Sequence, residues 1–290
     1  MKQLLRLVGL LIHQINKNVL LVIASGIGGF PSIAQAVRIT DTRGAKRLSP
    51  FTIPSFLINL AAGNVSIKHG FKGPIGAPVT ACAAGNQAIG NAVRLLRSGE
   101  ADIAICGGVE AAIDTVSLGS FIAARAMSTT PATGAEQASR PFDKDRNGFV
   151  MGEGAYRAMR NSLKQARVEP DQIQHLNAHA TSTQVGDISE LNAIKHLFGT
   201  NENIAITSTK SATGHLLGGA GGLETIFTVL ALRDQIVPAT LNLDNPDSVA
   251  MGLHLVAKQA EAMKINYALS NGFGFGGVNA SILLKRYHNY

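Results

Sequence analysis

Apolar residues recur along the chain in two alternating patterns. Short unbroken runs of aliphatic and β-branched residues predict buried strands at 19–24, 75–80, 103–106, 174–178, 204–208, 267–271 and 280–284. Longer stretches with helical spacing predict helices over 54–69, 83–97, 156–166, 188–197 and 216–232. In the second of these, Ala88, Ala92 and Leu95 recur at intervals of four and three and form one apolar stripe. Strands alternating with helices predict an α/β layered fold. Residues 128–145, rich in Thr, Ala, Pro and charge, read as a long loop, and loops of that length in compact domains are often functional.

Composition narrows the class. The chain has 290 residues, 46% hydrophobic and 16% charged, enough for one large core or two smaller ones. Its formal charge of +7 favours an acidic partner. The Lys and Arg residues are scattered, with no zinc-finger spacing and no aromatic RNA-binding motif, so nucleic acid is set aside. Two cysteines, Cys82 and Cys106, make no disulfide framework, which points to a reducing, cytoplasmic setting. Near the N-terminus, the apolar runs 7–12 and 19–24 are separated by polar residues 13–18, and neither is long enough to span a bilayer. The second run is taken as a strand rather than a targeting segment.

Chemistry concentrates where strands end. Residues 78–85 run from a strand into a helix, placing Cys82 at a helix start. Unpaired N–H groups and the helix dipole there favour a thiolate, so Cys82 is a candidate nucleophile with small residues around it. A buried core cysteine is the alternative. Cys106 lies in an apolar strand and reads as core. His179 and His215 each sit in a polar loop just beyond a strand, where open α/β sheets place their ligands.

In this order, the motifs resemble those of the β-ketoacyl-acyl carrier protein synthases, the type I/II condensing enzymes of the thiolase-like superfamily. The cysteine motif is Thr80-Ala81-Cys82. The first histidine motif is Asn177-Ala178-His179-Ala180, with Ala180 where the family usually has Gly. The Lys–His motif runs from Lys210 to His215. The terminal glycine-rich motif is Asn271-Gly272-Phe273-Gly274-Phe275-Gly276-Gly277. A fifth block runs from Arg140-Pro141-Phe142-Asp143 to Gly152-Glu153-Gly154. Five ordered blocks, spread from about Gly26 to Leu284, are far more specific than any one of them.

The resemblance implies a thiolase-like fold layered α-β-α-β-α, with residues 1–155 as the half carrying the nucleophile and 156–290 as the half carrying both histidines. It implies a 3-oxoacyl-[acyl-carrier-protein] synthase, an acyltransferase of fatty-acid biosynthesis that joins acyl and malonyl groups by decarboxylative condensation. Cys82 takes the acyl chain, His179 and His215 stabilise the enolate, and Lys210 orients the site electrostatically. The backbone N–H groups of Cys82 and Phe275 match the oxyanion hole. Phe275, with Phe273, matches the gate, Ile27 the acyl pocket, and Thr181 and Thr183 the contacts to phosphopantetheine. Lys46, Arg47 and Arg125 match positions at the tunnel mouth that meet acyl carrier protein. No cofactor is implied beyond the carrier's own phosphopantetheine, no metal and no membrane span, and a homodimer is expected.

Two segments depart from the family. Residues 1–18 do not resemble its opening strand and helix, and several dozen residues, including core strands, are missing between Ala155 and Tyr156. Losing strands leaves backbone edges and apolar faces uncovered. An inactive or weakly active homologue that binds carrier protein or a full-length partner is therefore the alternative function. A thiolase-type or synthase III-type enzyme is disfavoured by the paired histidines. Two motifs mislead. Residues 143–148 begin like an EF-hand loop, but its twelfth position is Gly154 instead of Glu. Residues 26–31 begin like a dinucleotide loop, but Pro31 takes the place of the third glycine.

Overall fold

The computed structural model describes residues 18–128, 135–149, 165–199, 201 and 203–287. The predicted helix at 156–166 and the proposed junction at 155/156 lie outside them, except for the last helical residues.

Two parallel sheets sandwich a layer of helices. The first sheet holds β1 (Val19–Ala24), β2 (Ile75–Gly76) and β3 (Ile103–Gly108), in the order β2-β1-β3, all parallel. On one face, Val19 and Leu21 of β1 meet Ala62 of helix α3 (Leu60–His69) and Phe71. On the other, Leu20, Val22 and Ala24 meet Ala84, Ala88 and Ala92 of α4 (Ala84–Arg97). Opposite faces of one strand are thus both buried, which is why β1 is an unbroken apolar run and why the alanine stripe of α4 is needed. These helices follow α1 (Phe30–Arg43) and the short α2 (Thr52–Phe56), and precede α5 (Thr115–Ala123).

The second sheet is larger. It contains β4 (His175–Asn177), β5 (Ala205–Thr207), β7 (His254–Leu255), β9 (Tyr267–Gly274) and β10 (Val278–Lys285), in the order β10-β9-β4-β5-β7. Only the β9–β10 hairpin is antiparallel. Its outer face packs Leu176, Ile206 and Leu269 against Leu191 and Ile194 of α6 (Gln184–Phe198). Its inner face packs Ala205 and Ala268 against Ala231 and Leu232 of α8 (Ala220–Asp234), which lies beside α4 in the middle layer. The short α7 (Lys210–Thr213) precedes α8, and β6 (Ile236–Val237) pairs with β8 (Glu261–Ala262) at the periphery. The order is α3, first sheet, α4 with α8, second sheet, α6: the α-β-α-β-α layering expected.

Local differences have physical causes. The predicted helix 54–69 is broken at Leu57, which is extended, because the turn there packs on the loop after β1, where the Gly29 N–H donates to the Phe56 carbonyl at 3.3 Å. The strand predicted over 75–80 pairs only at Ile75 and Gly76, since Pro78 has no N–H for a ladder. Helix α1 escaped the pattern because it buries none of its residues, and an apolar stripe is the signal that betrays a helix. Pro31 near its start also settles the dinucleotide-like segment as a helix entry.

The outer edge of β3 has no strand partner among the described residues, and Ile103 and Ile105 are 40% and 38% exposed.

His175 is buried in β4, with Nδ1 3.0 Å from the Ala205 carbonyl and Nε2 unpartnered. Burial pushes its pKa down to about 4 from 6.5. Below pH 6.5 the unfolded chain binds a proton there that the folded chain refuses. Stability present above pH 6.5 is therefore lost as pH falls towards 4, amounting to about 2 kcal/mol by pH 5. Denaturant melts of His175→Leu and the unsubstituted chain should show a shallower loss in the variant between pH 6.5 and 5, and equal slopes would refute this.

Candidate active site

Every residue of the Cys–His–His set lies at the ends of strands or turns that face the middle layer. Cys82 occupies a 3-10 turn, Ala81–Ala83, that leads directly into α4. Ala81 has a φ of 47°, a left-handed value costly for a residue with a Cβ. The turn packs against β9 on one side and against the Leu217–Gly219 turn just past His215 on the other. Cysteine, histidine loop and hairpin thus converge although they are far apart in sequence.

The thiol is not the pre-ionised group that its helix-start position suggests. Cys82 is only 4% exposed, and burial pushes its pKa up to about 12, outweighing the lowering effect of the Lys210 ammonium. The expectation of a depressed pKa is corrected on this point: desolvation in a dry pocket exceeds what the ammonium and the backbone N–H return. The proton must leave as the thiol reacts.

The two imidazoles face each other edge to face, with ring centroids 5.4 Å apart. His179 is buried and His215 half-buried, and both ring nitrogens of each are shielded from solvent and lack a hydrogen-bond partner. Burial, reinforced by the nearby Lys210 charge, holds both well below the ordinary histidine range, so they are neutral at physiological pH. Four unpartnered nitrogens in a dry site are costly unless a ligand takes them. Phe273 packs edge-on to His179 at 5.5 Å and Phe149 to His215 at 5.0 Å, which sets the orientation of each ring.

Lys210 is fully buried and paired with Glu224 of α8. Glu224, pushed up to about 7 by burial, is one of three acidic residues that sequence reasoning missed. Glu190 of α6 is another. Its carboxylate accepts the backbone N–H groups of His179 (3.0 Å) and Ala180 (2.7 Å) and the Asn271 amide (2.9 Å), so it fixes the first histidine loop to β9. The third is Glu110. The one available signal was an acidic residue on the inward turn of an otherwise apolar helix or just past a strand end.

The other predicted residues divide. Phe273 is buried in the main core, whereas Phe275 is 41% exposed in the turn after β9, flanked by Gly276 and Gly277 at positive φ. Thr181 and Thr183 are buried with hydroxyls 3.4 Å apart, and Thr181 donates to the Phe149 carbonyl at 2.8 Å. Ile27 lies in the loop after β1. Lys46, Arg47 and Arg125 are all exposed, the first two in a 3-10 turn and the third at the end of α5. An apolar groove of about 1140 Å³, lined in part by Val109, Phe121, Phe149, Ile226 and Val229, opens onto His215. Asp143, in the EF-hand-like segment, is buried and accepts the N–H groups of Asp145, Asp244 and Asn245.

The hairpin must sit close to the cysteine turn. A Cβ added to Gly274 would lie 2.6 Å from the Thr80 carbonyl oxygen and 3.3 Å from the Ala83 nitrogen. Gly274→Ala is expected to push the Phe275 backbone away from Cys82 and to slow acyl transfer about 100-fold, since loss of one oxyanion donor costs about that much. Single-turnover acylation of Cys82 measures this, and an unchanged rate would count against the two-donor oxyanion hole.

Similarity to known proteins follows this geometry. The description "Beta-ketoacyl synthase, N-terminal domain" matches residues 1–186, which corrects the expectation that residues 1–18 do not resemble the family, and "Beta-ketoacyl synthase, C-terminal domain" matches residues 135–244. A 3-oxoacyl-[acyl-carrier-protein] synthase 2 of Rhizobium meliloti is 45% identical, over 94% of this chain and 75% of its own length. That aligned stretch of 319 residues is longer than the chain itself, so the relative carries residues without a counterpart here. A mitochondrial 3-oxoacyl-[acyl-carrier-protein] synthase of Arabidopsis thaliana is 40% identical over 90% of this chain and 67% of its own. Among solved structures, a type II polyketide ketosynthase in complex with its acyl-carrier protein superposes with a TM-score of 0.87 at 27% identity, covering 94% of this chain and 79% of that one. With both synthase domain models matched and its cysteine and histidine loops converging in the layered core, the chain belongs to the β-ketoacyl synthase family of condensing enzymes.

Proposed function

We propose that the protein is a 3-oxoacyl-[acyl-carrier-protein] synthase of fatty-acid biosynthesis, with Cys82 as nucleophile. One observation carries the assignment: a buried cysteine on a strained turn shares a dry site with two neutral, unpartnered imidazoles. Cys82 Sγ attacks the acyl thioester carbonyl of the first carrier. Its proton passes to the departing carrier thiolate, and the acyl chain is left on Cys82. The backbone N–H groups of Cys82 and Phe275 hold the oxyanion.

Malonyl carrier protein then loses carbon dioxide. The electron pair of the broken C–C bond becomes an enolate, whose oxygen accepts hydrogen bonds from His179 and His215. The enolate carbon attacks the acyl-Cys82 carbonyl, the C–S bond breaks, and the 3-oxoacyl carrier leaves. The Cys82 thiolate takes up a proton from solvent, as its raised pKa favours. Lys210 keeps both imidazoles neutral, and Thr181 and Thr183 meet the phosphopantetheine arm. The apolar groove at His215 suits a fatty chain and not a polar one.

The partner is an acidic acyl carrier protein. A solved neighbour is a ketosynthase with its acyl-carrier protein bound, and the +7 charge here, with Lys46, Arg47 and Arg125 exposed, would steer such a partner. The halves 1–155 and 156–290 act as the nucleophile-bearing and histidine-bearing halves of one homodimeric cytoplasmic enzyme. The outer edge of β3, without a strand partner among the described residues, favours one rival: a weakly active homologue that completes itself on a full-length partner.

Incubating the purified chain with acyl carrier protein substrate should give an acyl adduct on the peptide carrying Cys82 by mass spectrometry. Adding malonyl carrier protein should discharge it into a product two carbons longer. A folded chain that takes no acyl group would overturn the enzyme reading in favour of the rival.

A further inference from the structure

One carboxylate ties together the loop after β1 and the turn after His215, which belong to opposite halves of the chain. Glu110 follows the end of β3 by two residues. Its Oε1 accepts the Ser25 hydroxyl at 2.7 Å and the backbone N–H groups of Ile27 and Gly28, each at 3.2 Å. Its Oε2 accepts the N–H groups of Gly26 at 2.7 Å and Gly218 at 3.0 Å. Five donors and no acceptor meet one side chain, the pattern of a carboxylate held in a nest of backbone amides.

The backbone around it leaves no spare room. A Cβ on Gly26 would lie 2.7 Å from Glu110 Oε2 and 3.2 Å from the Ala81 carbonyl oxygen. A Cβ on Gly218 would lie 2.2 Å from the Gly26 nitrogen and 2.8 Å from the same Oε2. Gly218 is three residues past His215, and its turn packs on the Ala81–Ala83 turn that carries Cys82. The clamp therefore joins the strained cysteine turn, the Ile27 loop and the His215 loop.

We propose that Glu110 is a positioning residue for condensation: by clamping the Ser25–Gly28 loop and the Gly218 turn onto the cysteine turn, it holds His215 and Cys82 in register for the enolate to meet the acyl thioester. The inference rests on the condensing-enzyme reading above. The same carboxylate is close enough to Cys82 to oppose its ionisation, in the direction opposite to Lys210. That gives a readout which a purely structural role would not move.

The test uses the full chain in a Cys106→Ala background, so that iodoacetamide reports Cys82 alone. Glu110→Gln removes the charge and presents a donor to five donors. Condensation should fall about 100-fold, the cost of an ångström-scale misplacement, while Cys82 alkylation shifts to lower pH. Glu110→Asp keeps the charge but is a methylene short, so it should restore the alkylation profile and only part of the rate. Ser25→Ala removes a single donor and should lower kcat roughly three- to tenfold, with KM for carrier substrates and the melting temperature nearly unchanged. Wild-type kcat in folded Glu110→Gln or in Ser25→Ala would overturn the proposal, as would an alkylation profile indifferent to the Glu110 charge. If Glu110→Gln does not fold, Ser25→Ala decides. If the unsubstituted chain takes no acyl group, the enzyme reading fails by itself, and the alkylation profiles still decide whether Glu110 acts on Cys82.

Discussion

Replacing Cys82 with alanine is expected to abolish condensation while sparing decarboxylation. The substitution removes the only buried thiol among the described residues and leaves the turn, the helix start and both imidazoles in place. No acyl-enzyme can form without Sγ, so the condensation rate should drop by about 10⁴-fold or more. Loss of carbon dioxide from malonyl carrier protein requires only that the enolate oxygen reach His179 and His215. It should continue, with acetyl carrier protein as product once the enolate is protonated. The cost in stability should be modest, about 1 kcal/mol for a small cavity. Product analysis of Cys82→Ala by mass spectrometry separates the two steps. Parallel loss of decarboxylation in a folded variant would remove the histidines from the role assigned to them.

The second large effect concerns the buried Lys210–Glu224 pair. Lys210→Met leaves a carboxyl without its cation in a site that already pushes Glu224 up to about 7. Breaking such a pair on one side costs about 3–5 kcal/mol. The double variant Lys210→Met/Glu224→Gln removes both charges of the pair, leaving only the hydrogen-bonded Glu190 nearby, and should recover much of that stability, which chemical melts would show. Its activity should not recover in the same way. Without the ammonium, both imidazoles are released from a charge that favours their neutral form, so each can be protonated at higher pH. The acid limb of the condensation profile should therefore move upward in pH in both variants. An acid limb unmoved in the stable double variant would show that burial alone sets the histidines.

The charge balance around Cys82 follows the same logic. Lys210 favours its thiolate, Glu110 and Glu224 oppose it, and desolvation exceeds all three. A thiol kept protonated by its surroundings resists adventitious oxidation and alkylation.

The motifs legible in the sequence are those in which one residue type must follow another closely. Cys82 after a strand, His179 and His215 in strand-end loops, and the glycines around Phe275 are local patterns, and the structure sets them at converging strand ends. The unbroken run of β1 and the alanine stripe of α4 were equally legible, because burial on both faces of a strand and on one face of a helix leaves a periodic mark. Helix α1 left none because it buries nothing. Other features needed the folded chain. Glu110, Glu190 and Glu224 look like ordinary surface acids in the sequence, yet each is set by donors or a cation well outside its own turn of chain. The sign of the Cys82 shift reversed for the same reason: helix-start position is a property of neighbours in sequence, whereas desolvation depends on everything packed around the sulfur. Sequence alone picked out the candidate reactive residues and the family of layered folds. Only tertiary structure decided how those residues are charged, what clamps them together, and that the outer edge of β3 has no strand partner among the described residues, because each depends on contacts between segments that the order of residues does not bring side by side.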